Sequence, residues 1–490
     1  MFSTKNSKFK IRSMRVNVLL NMLYTLMNTI FPLITYPYIS RVLDPTGIGK
    51  VNFFSQIAGY CTMFASLGIG TYGIRAVAET RNNEDDLSKT VKELLRINIL
   101  LTILVLLIYC VMAVCIPQFK SNIGLILING LAIATNPFSL DWLYSGLEQY
   151  DYITKRDFFF KIISIICIFI FVRTQSNYYI YALILTGANV GSTIFNFAYA
   201  LKIIDFKFKI KLNYQKHLKP MLTLFASGLA VSVYLSLDTI MLGFIRGNRE
   251  VGLYTTATKI ETVLLAVVNA ISVALLPRLS AYIQQKRYQE FNIVLKQSIS
   301  VISIITLSLC SFFIITAKDC ILILGGSSFL GATLSMQLLI PILIVSGFSN
   351  ITGNQILIPQ GKDMCFTIAV SVGAIVDIVI NFIVMKQFGA AGASFATLIA
   401  EIVQMSIQIF YARKDVFRNI DYLSIIKAFF AVTISSILLL IVTPFLEKIP
   451  LLIGMVIKAV IFFVLIFLLL LLFREKNIRN LAKAIINYLD

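Results

Sequence analysis

Apolar stretches, each close to twenty residues long, follow one another almost without a gap from residue 16 to residue 473, separated by short polar breaks. A helix needs roughly 20 residues to cross a hydrocarbon core about 30 Å thick. The pattern predicts fourteen membrane spans, at 16–37, 51–72, 97–116, 122–144, 158–173, 178–201, 221–245, 251–276, 297–317, 333–357, 366–385, 390–412, 425–445 and 451–473. Runs such as Ile97–Ile116 and Leu451–Phe473 are continuous. A transmembrane barrel would instead show strands of about ten residues that alternate apolar with polar. The expected fold class is an all-α integral membrane protein.

Composition agrees and leaves little room for anything else. The chain has 490 residues, 58% of them apolar and 14% charged, with a mean hydropathy of +0.84. A soluble globular class is excluded. The net charge of +19 would suggest nucleic acid in a soluble protein. Here its placement points elsewhere. Lys5, Lys8, Lys10, Arg12 and Arg15 crowd the N-terminus, and the even-numbered loops and the C-terminus hold most of the 43 lysines and arginines. By the positive-inside rule both termini are expected in the cytoplasm, which requires an even number of spans. The basic N-terminus does not read as a cleaved signal, because no small-residue cleavage site follows it. The expected location is the bacterial cytoplasmic (inner) membrane. Seven scattered cysteines without a CxxC pair predict neither a disulfide framework nor a metal site.

The chain divides at a basic linker. Residues 202–220 carry Lys202, Lys207, Lys209, Lys211, Lys216 and Lys219, and His217, the single histidine. Across the linker the two sides match. Ile48-Gly49-Lys50-Val51 falls on Val251-Gly252-Leu253-Tyr254, Arg75 on Arg278, and Gly146 on Gly361. The expected organisation is an N-lobe over 1–201 (spans 1–6), the linker over 202–220, a C-lobe over 221–412 (spans 7–12), and spans 13–14 with a tail over 413–490. Parallel repeats of this kind place a substrate path between two six-helix lobes.

Polar positions then separate the spans. The first span carries Asn17, Asn21, Tyr24 and Asn28 on one face, with Pro32 and Pro37. The second carries Asn52, Gln56 and Ser66, the seventh Ser227, Tyr234 and Asp238, and the eighth Thr255, Lys259, Thr262 and Asn269. Such groups at bilayer depth usually face a bundle interior or a wet cavity, although Asn, Ser and Thr also join packed helices. Lys259 and Asp238 are charges, which cost about 2.5–3.5 kcal/mol at the bilayer centre. They are therefore the stronger candidates, with a mutual ion pair as the alternative. Arg41, Lys50, Arg246 and Arg249 lie at the outer ends of these spans and would make a cavity cationic, as an anionic diphosphate requires. Arg75 and Arg278 end the matched second and eighth spans on the cytoplasmic side. Asp141, Asp377 and Glu401 are further acids, with Glu401 in mid-span. The last span, wholly apolar over Ile461–Phe473, is expected to face lipid all round.

At this point the chain resembles a known family. Tyr38-Ile39-Ser40-Arg41-Val42-Leu43-Asp44-Pro45-Thr46-Gly47-Ile48-Gly49 leads into Phe53-Phe54-Ser55-Gln56. Leu237-Asp238-Thr239-Ile240-Met241-Leu242-Gly243 precedes Val251-Gly252-Leu253-Tyr254-Thr255-Thr256-Ala257-Thr258-Lys259-Ile260. Trp142-Leu143-Tyr144-Ser145-Gly146-Leu147-Glu148 and Gly389-Ala390-Ala391-Gly392-Ala393-Ser394-Phe395-Ala396-Thr397 complete the set. In this order they resemble the Wzx-type O-antigen or capsule repeat-unit flippases. Those form the polysaccharide transporter branch of the multidrug/oligosaccharidyl-lipid/polysaccharide exporter superfamily.

The resemblance implies two six-helix lobes plus two C-terminal helices, a cationic central cavity, alternating access, and an undecaprenyl-diphosphate-linked oligosaccharide as cargo. It implies cavity or gating roles for Arg41, Asp238 and Lys259, which match the family's pattern. With Arg41 and Lys259, the polar stripes and span ends offer Lys50, Arg246, Asn28, Gln56 and Tyr234 as cavity or substrate residues; with Asp238, Glu401, Arg75 and Arg278 are the gating or ion-coupling candidates. No cofactor or metal is expected. Proton or sodium coupling would supply the energy. Membrane lipids, a polysaccharide polymerase and a chain-length regulator are the implied partners, and nucleic acid is not. Three alternatives remain open: a lipid II-type flippase, a drug or cation antiporter on the same fold, and a membrane enzyme of the same pathway. Short outer loops without histidine argue against the last.

Overall fold

A computed structural model describes residues 14–206, 214–446 and 448–480, and every regular element among them is helical. The chain forms two compact units, Met1–Gly243 and Phe244–Asp490.

The first unit holds α1 (Met14–Ser66), α2 (Ile69–Thr80), α3 (Glu84–Cys115), α4 (Pro117–Lys120), α5 (Ile123–Thr135), α6 (Asp141–Gly146), α7 (Tyr150–Phe171), α8 (Tyr178–Ile203) and nearly all of α9 (Gln215–Ile245). α1 is two helices run together. Asp44 leaves helical geometry at φ 60° and ψ 176°. Its Oδ1 accepts a hydrogen bond from the Gly47 N–H at 2.9 Å, and Pro45 takes the first helical position, where a missing N–H costs nothing. The first two predicted spans therefore meet at a capped break.

α9 packs with the first unit because its end is glycine. A Cβ on Gly243 would overlap the Phe53 ring of α1, and the Gly243 carbonyl accepts from Gln118 Nε2 at 3.1 Å. The Tyr60 hydroxyl donates to the Ser232 carbonyl at 2.8 Å. The boundary between the units thus falls after Gly243, beyond the basic linker.

The second unit holds α10 (Asn248–Gln284), α11 (Tyr288–Ile315), α12 (Ala317–Leu324), α13 (Thr333–Leu339), α14 (Ile342–Asn350), a π-helical turn (Ile351–Leu357), α15 (Asp363–Asn419), α16 (Tyr422–Leu446) and α17 (Leu451–Leu472). α15 also joins two helices, across Gly389 at φ 56° and ψ −129°. Among the described residues ten helices are long and apolar enough to cross a membrane. An eleventh follows if Gln215–Val233 and Ser236–Ile245, bent by 56°, count as one span.

Both units turn large apolar side chains outward. Leu100, Ile103, Leu104, Leu107, Ile108 and Val111 are all more than half exposed on α3, a stripe suited to contact with lipid. α17 departs from expectation. Leu452, Val456, Val460, Val464 and Leu468 are exposed, but Gly454, Lys458, Phe462, Ile466 and Leu470 are buried at every fourth position. Phe462, Ile466 and Leu470 pack in a core with Phe312 of α11 and Ala428 and Val432 of α16. The last span is therefore half covered by protein, not bathed in lipid on all sides. Composition does not reveal this, because a Leu packs equally well on lipid tails and on another Leu.

Candidate functional site

Lys50, one of the predicted cationic residues, lies in a defined aromatic and polar setting. The Asp44 cap starts the second half of α1, and Lys50 lies near its start. A short 3-10 turn, Gln175–Asn177, is closed by a capping box between Thr174 and Asn177 and delivers Tyr178 at the start of α8. The Lys50 ammonium sits 4.7 Å from the Tyr178 ring centroid and 3.5 Å from its hydroxyl. This is cation–π range. Tyr178 packs on Tyr179 with centroids 4.3 Å apart. Nearby, the Tyr38 hydroxyl donates to the Val172 carbonyl at 2.7 Å, tying α1 to the end of α7. Lys50, Asp44, Thr46, Gln175, Ser176 and Tyr178 line an open cavity of about 210 Å³. Its lining thus presents one ammonium, one carboxylate, an amide, hydroxyls and an aromatic face.

A second polar cluster in this unit centres on Arg156. Its Nη1 donates to Asp141 Oδ1 at 2.9 Å and its Nη2 to Asp157 Oδ1 at 2.6 Å. Nη1 also donates to Asn196 Oδ1, and Asn196 Nδ2 donates to Asp141 Oδ1 at 2.9 Å. Arg156 is buried. With two carboxylates around it, the charge is compensated, as a buried guanidinium requires. Tyr144, Tyr152 and Tyr199 pack together beside it, the last two with centroids 4.5 Å apart. Asp141, one of the acids noted in the sequence, is thus held by this network while its side chain stays about half exposed (48%).

The second unit has its own polar interior, next to the π-helical turn. Ser349 Oγ and Thr352 Oγ1 donate to Gln408 Oε1 at 2.9 and 2.8 Å. Gln404 Nε2 donates to Ser349 Oγ at 3.0 Å, and Gln355 Nε2 to Ser272 Oγ at 3.0 Å. π-turns inside α-helices often mark functional positions.

The profile of a family described as polysaccharide biosynthesis protein matches residues 14–283, more than half of the chain. The chain belongs to this family. This agrees with the resemblance of its motifs to the Wzx-type flippases. A protein named "Putative O-antigen transporter" from Escherichia coli (strain K12) is 24% identical over 409 residues, covering 82% of this chain and 97% of the relative. Its namesake from Shigella dysenteriae is 25% identical over 402 residues, covering 80% and 98%. The fold is similar to that of the lipid II flippase MurJ in an inward closed conformation, with TM-score 0.73, 15% identity, and 95% and 100% of the two chains covered. A multidrug resistance MATE family transporter in an inward-facing conformation follows at TM-score 0.59 and 14% identity, covering 82% and 98%.

The polysaccharide biosynthesis protein fold places the other predicted residues as follows. In the first unit Arg41 is exposed, with Nη1 donating to the Pro37 carbonyl at 2.5 Å. Gln56 is half-buried and Asp238 buried. Arg75 is exposed and pairs with Glu79 one turn away at 2.9 Å. The side chains of Asn28 and Tyr234 lie outside the described residues. In the second unit Arg246 is exposed near the Lys386 carbonyl at 3.4 Å, and Lys259 and Glu401 are half-buried. Arg278 donates to the Tyr282 hydroxyl at 2.8 Å. Of this set, only Lys50 lines one of the cavities described for the first unit.

Sequence reasoning missed three buried ionic sites. Glu93, fully buried, accepts from His217 Nε2 at 2.8 Å and from Lys216 Nζ at 3.0 Å, while the Tyr72 hydroxyl meets His217 Nδ1 at 2.8 Å. His217 is therefore a structural tie between α9, α3 and α2. Lys458 pairs with Asp319 at 2.6 Å. Arg156 and its acids are the third. The signal was a charge close to or inside an apolar run, a rare event that needs a partner.

Proposed function

We propose that this protein flips a lipid-linked oligosaccharide, an undecaprenyl-diphosphate-borne repeat unit, from the cytoplasmic to the outer leaflet for assembly of a surface polysaccharide. The observation that carries the reading is the match over 97% and 98% of the length of two relatives named as O-antigen transporters. A lipid-linked glycan presents a diphosphate, sugar hydroxyls and a polyprenyl tail. The tail can remain in lipid, whereas the head must leave water on one side and regain it on the other. A cationic, hydrated path lowers that barrier, because an uncompensated charge in hydrocarbon is costly.

In this reading the chain crosses the membrane fourteen times, as two six-span lobes and two added helices, with both termini in the cytoplasm. Arg41, Lys50, Arg246 and Lys259 attract the diphosphate. Asn28, Gln56 and Tyr234 contact the head group. Two units with separate cores are what alternating access by rocking of repeats requires. Asp238 and Glu401 carry the coupling proton or sodium ion, and Arg75 and Arg278 hold the cytoplasmic gate. A polymerase and a chain-length regulator act downstream on the flipped unit.

The test is deletion of the gene followed by analysis of lipid-linked saccharides. Accumulation of a complete, unpolymerised repeat unit on the cytoplasmic face supports the reading. Loss of one modification with export intact would assign an enzyme instead, and accumulation of the peptidoglycan precursor would assign lipid II as the cargo.

A further inference from the structure

We infer that the first unit contains a subsite for a single neutral sugar ring, separate from the Lys50 cavity, where the fourth apolar run breaks. The inference rests on the flippase reading and names what part of the cargo this place would hold.

The fourth run is not one helix. α5 stops at Thr135 and a 3-10 turn covers Asn136–Phe138. Leu140 then adopts left-handed geometry at φ 50° and ψ 19° before α6 starts at Asp141. Left-handed backbone is unfavourable for leucine, and such strain collects at ligand clamps and switch regions. Discontinuous helices are also where transporters of repeated design place substrate groups. The break faces a cavity of about 220 Å³ whose polar lining comes from Ser66, Asn98, Asn136, Ser139, Asp141 and Trp142. That is space on the scale of one sugar ring.

The lining chemistry selects the ligand. No lysine or arginine lines this cavity. The one carboxylate, Asp141, is already compensated by Arg156 at 2.9 Å. A diphosphate would find no cation here. Instead the side chains offer alternating donors and acceptors. Asn136 Nδ2 donates to Ser66 Oγ at 3.0 Å and to Asn98 Oδ1 at 3.3 Å, so the three are held as a set. The Trp142 indole N–H is buried with no acceptor. Ile69 and Ile74 add apolar surface beside the indole. Paired amides and hydroxyls for ring hydroxyls, with an indole for the apolar ring face, make a site for a neutral sugar.

The structure also supplies the probe and the control. Trp142 is the single tryptophan of the chain, so its emission reports on this cavity alone. Gly70 lines the cavity, and a Cβ added there meets nothing within 4 Å. Gly70→Leu therefore starts from an open position and directs its side chain into the cavity space.

The experiment uses the full-length protein in lipid nanodiscs. The probe is the glycan released by mild acid from the lipid-linked saccharide that accumulates in the deletion strain. We expect a saturable change in Trp142 emission on adding this glycan and none with inorganic pyrophosphate. Asn136→Ala should weaken the response at least tenfold, and Gly70→Leu should abolish it while the melting temperature stays unchanged. Accumulation of the saccharide without any emission response would make this a water-filled cavity and overturn the subsite while leaving the flippase reading intact. A response that survives Gly70→Leu, or that pyrophosphate reproduces, would overturn it equally. Absence of any accumulating saccharide would remove the flippase reading, and the inference with it.

Discussion

A lysine at the end of an apolar run ordinarily reaches for head groups, but Lys50 is turned onto an aromatic ring and toward an open polar cavity. If it receives the diphosphate, Lys50→Gln removes a charge-assisted contact worth about 1.5–3 kcal/mol. Transport should then fall roughly tenfold or more, with thermal stability unchanged because Lys50 is only half-buried. Flux measured beside a melting curve checks both. Glu93 is the opposite case. It is fully buried under His217 and Lys216, and removing one partner of a buried pair costs about 3–5 kcal/mol. Glu93→Ala should lower the unfolding temperature in detergent sharply, whether or not substrate is present. For Glu401, assigned to ion coupling, Glu401→Gln should leave downhill flux in proteoliposomes but erase its response to an imposed proton or sodium gradient. A gradient response that persists would remove Glu401 from that role.

The residues behind these predictions differ in how legible they were. Lys50 was visible as a cation at the end of a polar-striped span. Glu93 and His217 were not, because 124 positions separate them and their meeting depends on how α9 is laid against α3. The network around Asp141 was hidden for the same reason. Its partners Arg156 and Asn196 arrive from two later helices.

At the level of elements, the close approaches are made by glycine. A Cβ on Gly73 would lie 2.6 Å from the Trp142 ring, and one on Gly243 would overlap Phe53. By contrast Gly59 and Gly228 have nothing within 4 Å of an added Cβ. Gly73→Ala and Gly243→Ala should therefore each destabilise the protein by about 1–3 kcal/mol through overpacking. Gly59→Ala and Gly228→Ala should be close to neutral, and thermal unfolding of the four variants separates the classes. Apolar periodicity predicted the helices well, since spans must be long and continuous. It did not predict the breaks inside the fourth and tenth runs, where a 3-10 turn and a π turn replace regular helix. Composition is blind there because apolar residues continue through the irregular backbone. The Asp44-Pro45 break was different, as a cap residue followed by proline is a local signal.

For the whole molecule, charge asymmetry predicts an orientation that reporter fusions can read. A reporter active only outside the cytoplasm should be active when fused after residue 120, and inactive when fused after residue 205 or at the C-terminus. The reverse pattern would invert every assignment of outer and inner ends made here. The all-helical class and the membrane-spanning character were both legible from sequence. The division of the chain was less so. Sequence placed it at the basic linker, whereas the compact units separate after Gly243, because α9 is held to the first unit by contacts with Phe53, Tyr60 and Glu93 that are distant in sequence. The flippase assignment itself depends on movement of a head group across a bilayer. Purified protein in proteoliposomes, loaded with fluorescent undecaprenyl-diphosphate-linked repeat unit from the deletion strain, reports that movement through an impermeant quencher. The account predicts that the quenched fraction rises from about half to nearly all of the label when the protein is present, and stays near half with empty vesicles. A quenched fraction that remains near half with folded protein present would contradict it.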